Sequence, residues 1–185
     1  MKKFKVELYL SFVIVVLSAI FMRLIPHIPN VSPIAALALF SGAFIPSWGA
    51  LILPIAALVI SDFFLGFHAT VPFVYGSFIF IIILGYILRG KISPLFVGAG
   101  SLIGSVLFFI ITNFGVWATS SMYEKSVYGL LQCYTMGLPF FRNTILGDLF
   151  YAAVFFLSYR ICVLLFVLML PSRRKSRERH AGNTV

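Results

Sequence analysis

The sequence carries few charged side chains for its length. Charged residues make up 10% of its 185 residues, whereas a soluble domain typically carries about 25%. Acidic residues are scarcest, with 5 Asp and Glu against 14 Lys and Arg, while hydrophobic residues reach 61%. So few charged side chains are not enough to keep so apolar a chain soluble. The composition therefore indicates an integral membrane protein.

Familiar catalytic and metal-binding motifs are also missing. The sequence has no phosphate-binding GxxxxGK[ST] loop, no GxSxG, no CxxC and no HExxH. His27 and His68 fall on one predicted side of the membrane, yet neither has a Cys or carboxylate at ligand spacing. We therefore predict no enzyme, no catalytic residue, no bound metal and no cofactor. The alternative is an intramembrane enzyme that uses Asp62 or His27 as acid or base.

Most of the basic residues, 10 of 14, stand in three clusters that flank apolar runs. They are Lys2, Lys3 and Lys5, then Arg89 and Lys91, then Arg173, Arg174, Lys175, Arg177 and Arg179. Short basic segments beside apolar runs mark the cytoplasmic side of a membrane. Since no basic face with groove-reading side chains can be drawn, we predict no nucleic-acid partner.

The apolar runs predict a compact all-α bundle of about six transmembrane helices with both termini in the cytoplasm. The predicted spans are 7–25, 32–46, 48–65, 71–89, 94–117 and 143–170. The second is short and rich in small residues, which is typical of a broken or tilted helix. Residues 1–170 then form one transmembrane domain, and 171–185 form a basic cytoplasmic tail.

Polar residues concentrate in or beside the outer segments of this topology, 24–31, 66–70 and 118–142. The last segment is long enough to predict a lid or a re-entrant piece. We predict that the polar side chains form one outward-facing substrate site. Its members are His27, Asn30, Asp62, His68, Asn113, Trp117, Tyr134, Arg142, Asn143 and Asp148.

The two acidic members each allow two interpretations, because a carboxylate inside an apolar helix is costly without a partner. Asp62 either caps the outer helix end or pairs with Arg23 or Arg142, or it contacts a ligand or cation. Asp148 either forms an ion pair with an arginine of a neighbouring helix or belongs to the site. Arg142 suits such a pair and equally suits an anionic group of a ligand.

The neutral members are open in the same way. Each histidine is a hydrogen-bonded surface residue or a ligand contact, and Trp117 belongs to an interfacial aromatic belt or to the pocket. Asn113, inside an apolar helix, predicts an interhelical hydrogen bond or a ligand. The GxxxG pair Gly100 and Gly104 predicts close helix packing, inside the bundle rather than against a partner.

Four sequence strings carry a resemblance that covers residues from about 20 to 160. They are RLIPHIPNVSPIAALALFSGAF, SDFFLGFH, TNFGVW and CYTMGLPFFRNTILGDLFY. Together they resemble a family of small bacterial six-span membrane proteins known chiefly as a domain of unknown function. Size, span count and an outward site also look like the substrate-binding S components of energy-coupling-factor vitamin importers.

The second resemblance implies a function and partners. An S component captures a vitamin-like nutrient in the bacterial inner membrane and works with a transmembrane coupling subunit and its ATPases. We therefore expect a solute-binding and uptake protein whose partners are the lipid bilayer and a small-molecule solute. The alternative is a structural or assembly membrane protein without a small-molecule ligand.

Overall fold

The computed structural model describes residues 16–25, 28–45 and 48–169. Within these ranges the chain forms six helices and no strand, which confirms the all-α prediction. They are α1 (helical over 16–24), α2 (Ile34–Phe44), α3 (Gly49–Leu65), α4 (Val71–Ile87), α5 (Pro94–Thr119) and α6 (Val127–Met169).

Proline and glycine mark several helix boundaries. Pro94 opens α5, where its missing N–H costs nothing, and Ser93 Oγ before it accepts a hydrogen bond from the Phe96 N–H. Gly66 follows α3 with φ of 93°, a conformation that side chains with a β carbon rarely adopt. Because these boundaries are set by local residues, the predicted spans 48–65 and 94–117 lie close to α3 and α5.

Helix α2 is short and enclosed by its neighbours. Nine of its 11 residues are buried, and it packs against α3, α4 and α5. At 1.5 Å per residue it is about 16 Å long, roughly half of the apolar thickness of a bilayer. The predicted second span is therefore a short helix that the bundle encloses.

Small residues let the helices approach closely, as the sequence predicted. A β carbon on Gly100 would lie 2.8 Å from Leu88 Cδ1, and one on Gly104 would lie 3.4 Å from Ile81 Cγ1. Both glycines of the GxxxG pair thus face other helices of this chain, which confirms internal packing.

Helices α5 and α6 are antiparallel neighbours joined by residues 120–126. Cys133 Sγ lies 3.4 Å from the Asn113 carbonyl oxygen, and Tyr134 donates a hydrogen bond of 2.8 Å to the Ile110 carbonyl. Residues later in α6 thus contact residues earlier in α5, as in an antiparallel pair.

The prediction that residues 118–142 form a lid or a re-entrant segment is wrong. Only residues 120–126 lie between helices, because α6 begins at Val127 and passes through Pro139 without ending. Pro139 does not end the helix, because apolar helices tolerate proline when neighbouring groups satisfy the freed backbone. The last helix therefore begins well before the predicted start at residue 143.

The chain divides after Phe155 into two compact units. The first, up to Phe155, contains α1 to α5 and most of α6, and the second begins at Phe156 with the last turns of α6. In that second unit, Ile161, Leu164 and Leu168 are exposed. The predicted boundary between domain and tail, at residue 170, lies outside the described residues and stays a prediction, as does the cytoplasmic position of the termini.

Within the ranges that the structure describes, two helices are long and apolar enough to cross a membrane, Pro94–Thr119 and Val127–Leu165 within α6. The helices α2, α3 and α4 are apolar but shorter. Large apolar side chains such as Phe63, Trp48 and Leu95 are at least 75% exposed. Six complete crossings remain a prediction.

Candidate functional site

Asp62 lies at the centre of a buried network that joins three helices. Its side chain is 2% exposed, and its Oδ1 lies 2.7 Å from Nη2 of Arg23 on α1. Tyr75 on α4 donates a hydrogen bond of 2.8 Å to Oδ2, and Arg23 also donates to Ser61 Oγ. A buried carboxylate persists only when paired and hydrogen-bonded, and this one is both. Of the sequence-based interpretations of Asp62, pairing with Arg23 is confirmed.

Asp148 has a different environment. It is 4% exposed on α6 and accepts a hydrogen bond of 2.7 Å at Oδ2 from Ser105 Oγ on α5. In the part of the chain that the structure describes, no Lys, Arg or His forms an ion pair with it. The interpretation of Asp148 as the partner of an arginine is therefore wrong for these residues.

Asn113 and Tyr134 make backbone contacts at the interface between α5 and α6. The Asn113 amide donates 2.8 Å to the Phe109 carbonyl of its own helix. Its Oδ1 lies over Gly137, where an added β carbon would be 2.5 Å away. Tyr134 reaches the Ile110 carbonyl, and its ring packs against Phe109 at 5.7 Å between centroids. Both side chains thus have structural roles at a close helix contact.

Trp117 anchors the connection between α5 and α6. Its Nε1 donates 2.9 Å to the Glu124 carbonyl, and Lys125 Nζ lies 5.6 Å from the centre of its ring. Lys125 also donates to the Ser120 carbonyl at 2.6 Å. Trp117 therefore fixes a tight exposed connection, a role that its spacing from Glu124 and Lys125 did not reveal.

Asn30 and His68 lie in short connections. Asn30 has φ of 63°, follows Pro29 and sits inside a turn that the Val31 N–H closes onto the Ile28 carbonyl at 3.0 Å. Proline followed by a residue of positive φ is the pattern of a type II turn. His68 Nδ1 lies 2.6 Å from Thr70 Oγ1 in an exposed turn. The predicted site residue His27 lies outside the described residues.

Arg142 and Asn143 are consecutive on α6. The Asn143 amide donates 3.2 Å to the Pro29 carbonyl and so ties α6 to the turn before α2. Arg142 is exposed, and within the described ranges it forms no ion pair and no hydrogen bond.

Arg89 has a structural role that the sequence analysis missed, because its basic neighbours marked it only as an inner hinge. Its Nη2 donates to the Gly42 carbonyl at 2.9 Å and to the Ile45 carbonyl at 2.6 Å. These carbonyls lie at the end of α2, where no intrahelical donor remains. The guanidinium thus caps the short central helix, and it lies 4.7 Å from the centre of the Tyr86 ring.

The predicted site residues make contacts of their own rather than contacts with one another. Among those that the structure describes, no hydrogen bond or ion pair joins two members of the set. Two pairs share a region: Asn113 and Tyr134 both contact Phe109, and Asn143 binds the carbonyl of the residue before Asn30. In the same described ranges, no three His, Cys, Asp or Glu side chains are grouped so as to hold a metal ion.

Comparison with known proteins gives a family and no activity. No curated protein and no solved structure matches this chain. The resemblance to importer S components therefore stays a prediction. A model described as "Family of unknown function (DUF6580)" matches residues 2–168. Because that match covers nearly the whole sequence, the chain belongs to the DUF6580 family.

Proposed function

We propose that this chain is a multi-pass protein of the bacterial cytoplasmic membrane that captures a small nutrient from the outer side for uptake. The exposed apolar surfaces of α5 and α6, both long enough to cross, support the membrane position. The basic clusters support a cytoplasmic position for the hinge at Arg89 and Lys91. The connection over 120–126 then faces outward.

The short central helix supports a transport role. A helix of 11 residues that ends inside a bundle leaves irregular backbone at membrane depth, which is tolerated only where it is buried in protein or lines a cavity. Many transporters use such discontinuous helices beside their substrate sites. Here the turn before α2 is held by Asn143, and the end of α2 is held by Arg89.

The observation that carries solute binding is the unpaired Arg142. An exposed guanidinium on an apolar helix, with no acid partner among the described residues, is free to bind an anionic group. The next residue, Asn143, donates a hydrogen bond to the Pro29 carbonyl in the turn before α2. Arg142 is therefore the sequence neighbour of a side chain that contacts this turn. A small polar or ring-bearing nutrient with a carboxylate or phosphate, such as a vitamin precursor, suits this donor.

Native mass spectrometry tests the proposal, using protein extracted gently from its own membrane. We expect a retained small molecule on the wild type, less of it on Arg142→Ala, and full retention on Arg160→Ala. Arg160 is a matched control because it is also an exposed arginine of α6. An empty wild type, or equal retention by Arg142→Ala and wild type, would overturn the proposal.

A structural or assembly role is the second candidate. It is favoured by the contacts of Asp62, Asn113 and Tyr134, all of which connect or brace helices. A membrane protein that co-purifies in a fixed ratio, with no retained small molecule, would support this role. Co-purification of a coupling subunit and ATPases together with a small molecule would instead support uptake of the S-component kind.

A further inference from the structure

Among the described residues, two carboxyl groups are buried, and only one of these has a positive partner. Asp62 is paired with Arg23, whereas Asp148, at 4% exposure, has only the Ser105 hydroxyl. A buried carboxylate that lacks a counter-charge is strongly destabilised relative to its neutral or cation-bound form. Asp148 therefore needs a positive charge that the described side chains do not supply.

Two serine hydroxyls lie on the side of α5 that faces Asp148. Ser105 Oγ is 2.7 Å from Asp148 Oδ2 and 3.0 Å from the Ser101 carbonyl oxygen. Ser101 lies one turn before Ser105 on the same face of the helix. Its side chain is 5% exposed, and its Oγ is buried without a hydrogen-bond partner. A buried hydroxyl without a partner, one helical turn from the serine that contacts an uncompensated carboxyl, indicates a missing ligand.

Other ionisable groups do not account for the charge. From α5, the side chain that contacts Asp148 is the neutral Ser105, and Ser101, also neutral, lies one turn earlier on the same helix face. From the turn before α2, Val31 packs against Gly147, the residue before Asp148. On α6 itself Arg142 lies six residues earlier, about 240° around the helix at 3.6 residues per turn. Among the described residues, no titratable side chain forms an ion pair or a hydrogen bond with the Asp148 carboxyl.

We propose that Asp148, with Ser101 and Ser105, forms an exchangeable site for one monovalent cation, either a proton on the carboxyl or a sodium ion among the oxygens. Filling the site neutralises Asp148, and emptying it leaves a buried negative charge between α5 and α6. The inference needs only the burial of Asp148 and does not depend on nutrient binding. If the protein does take up a solute, this site is where a coupling ion would bind.

Infrared difference spectroscopy of the full chain in phosphatidylcholine vesicles tests the proposal. We expect a C=O band of a protonated carboxylic acid that decreases as the pH rises, is lost in Asp148→Asn and is kept in Glu124→Gln. Glu124 is the control because its carboxyl is exposed. Replacing choline chloride with sodium chloride at fixed pH separates the ions. Loss of the band identifies sodium as a second occupant, and no change identifies the proton alone.

A second variant keeps the test decisive if Asp148→Asn does not fold. Ser105→Ala retains the carboxyl but removes its hydrogen-bond donor, so the band should persist with a changed frequency. The proposal is overturned if the band is absent at every pH or constant over the whole range in which the protein stays folded. It is equally overturned if Ser105→Ala leaves the frequency unchanged.

Discussion

Gly42 and Gly85 lie against each other where α2 crosses α4. A β carbon on Gly42 would lie 2.1 Å from the Ile82 carbonyl oxygen, and one on Gly85 would lie 2.2 Å from the Leu39 carbonyl oxygen. Backbone atoms on both sides leave no flexible side chain to move away. This crossing holds the central helix, and Gly42 is one of the small residues in which the second predicted span is rich.

Adding one methyl group at this crossing should therefore force α2 and α4 apart. We expect Gly85→Ala to lower the free energy of unfolding by about 3 kcal/mol, near the upper end of the usual cost of overpacking. Gly76→Ala is the matched control, because Gly76 lies in the same helix and an added β carbon there meets nothing within 4 Å. Thermal unfolding in detergent measures both variants. Equal midpoints for the two would contradict the close crossing.

The pairing of Arg23 with Asp62 makes a second prediction. Asp62→Asn keeps the shape of the side chain but leaves the Arg23 cation, which is 17% exposed, without its counter-charge. Breaking a buried pair from one side costs about 3 kcal/mol. The double variant Arg23→Met with Asp62→Leu should be less destabilised than Asp62→Asn, because it removes both charges together. Unfolding midpoints of the double variant and of Arg23→Met and Asp62→Leu alone check this. If the loss of stability in the double variant equals the sum of the two single losses, direct pairing is contradicted.

Sequence reasoning located the helices well because their limits are local. Where an apolar run is bounded by Ser93 and Pro94 or by Gly66, the residues that set the helix boundary lie within a few positions of it. The start of α6 is harder to predict, because Pro139 lies inside the helix without ending it. Partners between helices are not local. Arg23 lies 38 residues from Ser61, so nothing in the sequence chose Arg23 over Arg142 as the partner of the adjacent Asp62.

The candidate site was harder to predict for the same reason. Polar residues beside one predicted face of the membrane were expected to converge on one site. Instead, the Asn113 amide donates a hydrogen bond within its own helix, and Trp117 binds the connection after α5. A polar side chain in an apolar helix must satisfy its hydrogen bonds somewhere, and the nearest backbone carbonyl is often sufficient. Composition therefore identified which residues are constrained, without identifying what constrains them.

The cap that Arg89 places on α2 makes a third prediction. Arg89→Lys should lower the free energy of unfolding by about 2 kcal/mol, because a lysine keeps the charge but lacks the planar fork that reaches Gly42 and Ile45. Lys91→Ala is the control, since Lys91 is exposed and bonds only through its backbone N–H. Retained stability in Arg89→Lys would show that charge alone, rather than directed hydrogen bonds, holds the end of α2.

The proposed orientation makes the last prediction. In a Cys133→Ser, Cys162→Ser background, Ser121→Cys should react with a membrane-impermeant maleimide added to spheroplasts, whereas Lys91→Cys should react only after the membrane is permeabilised. Both positions are exposed, so protein burial does not hide either thiol. The physical reason is that α5 joins the two connections and, at 26 residues or about 39 Å, is long enough to separate them by a bilayer. If both thiols react from the same side, α5 does not cross, and the outward position of 120–126 is lost with it.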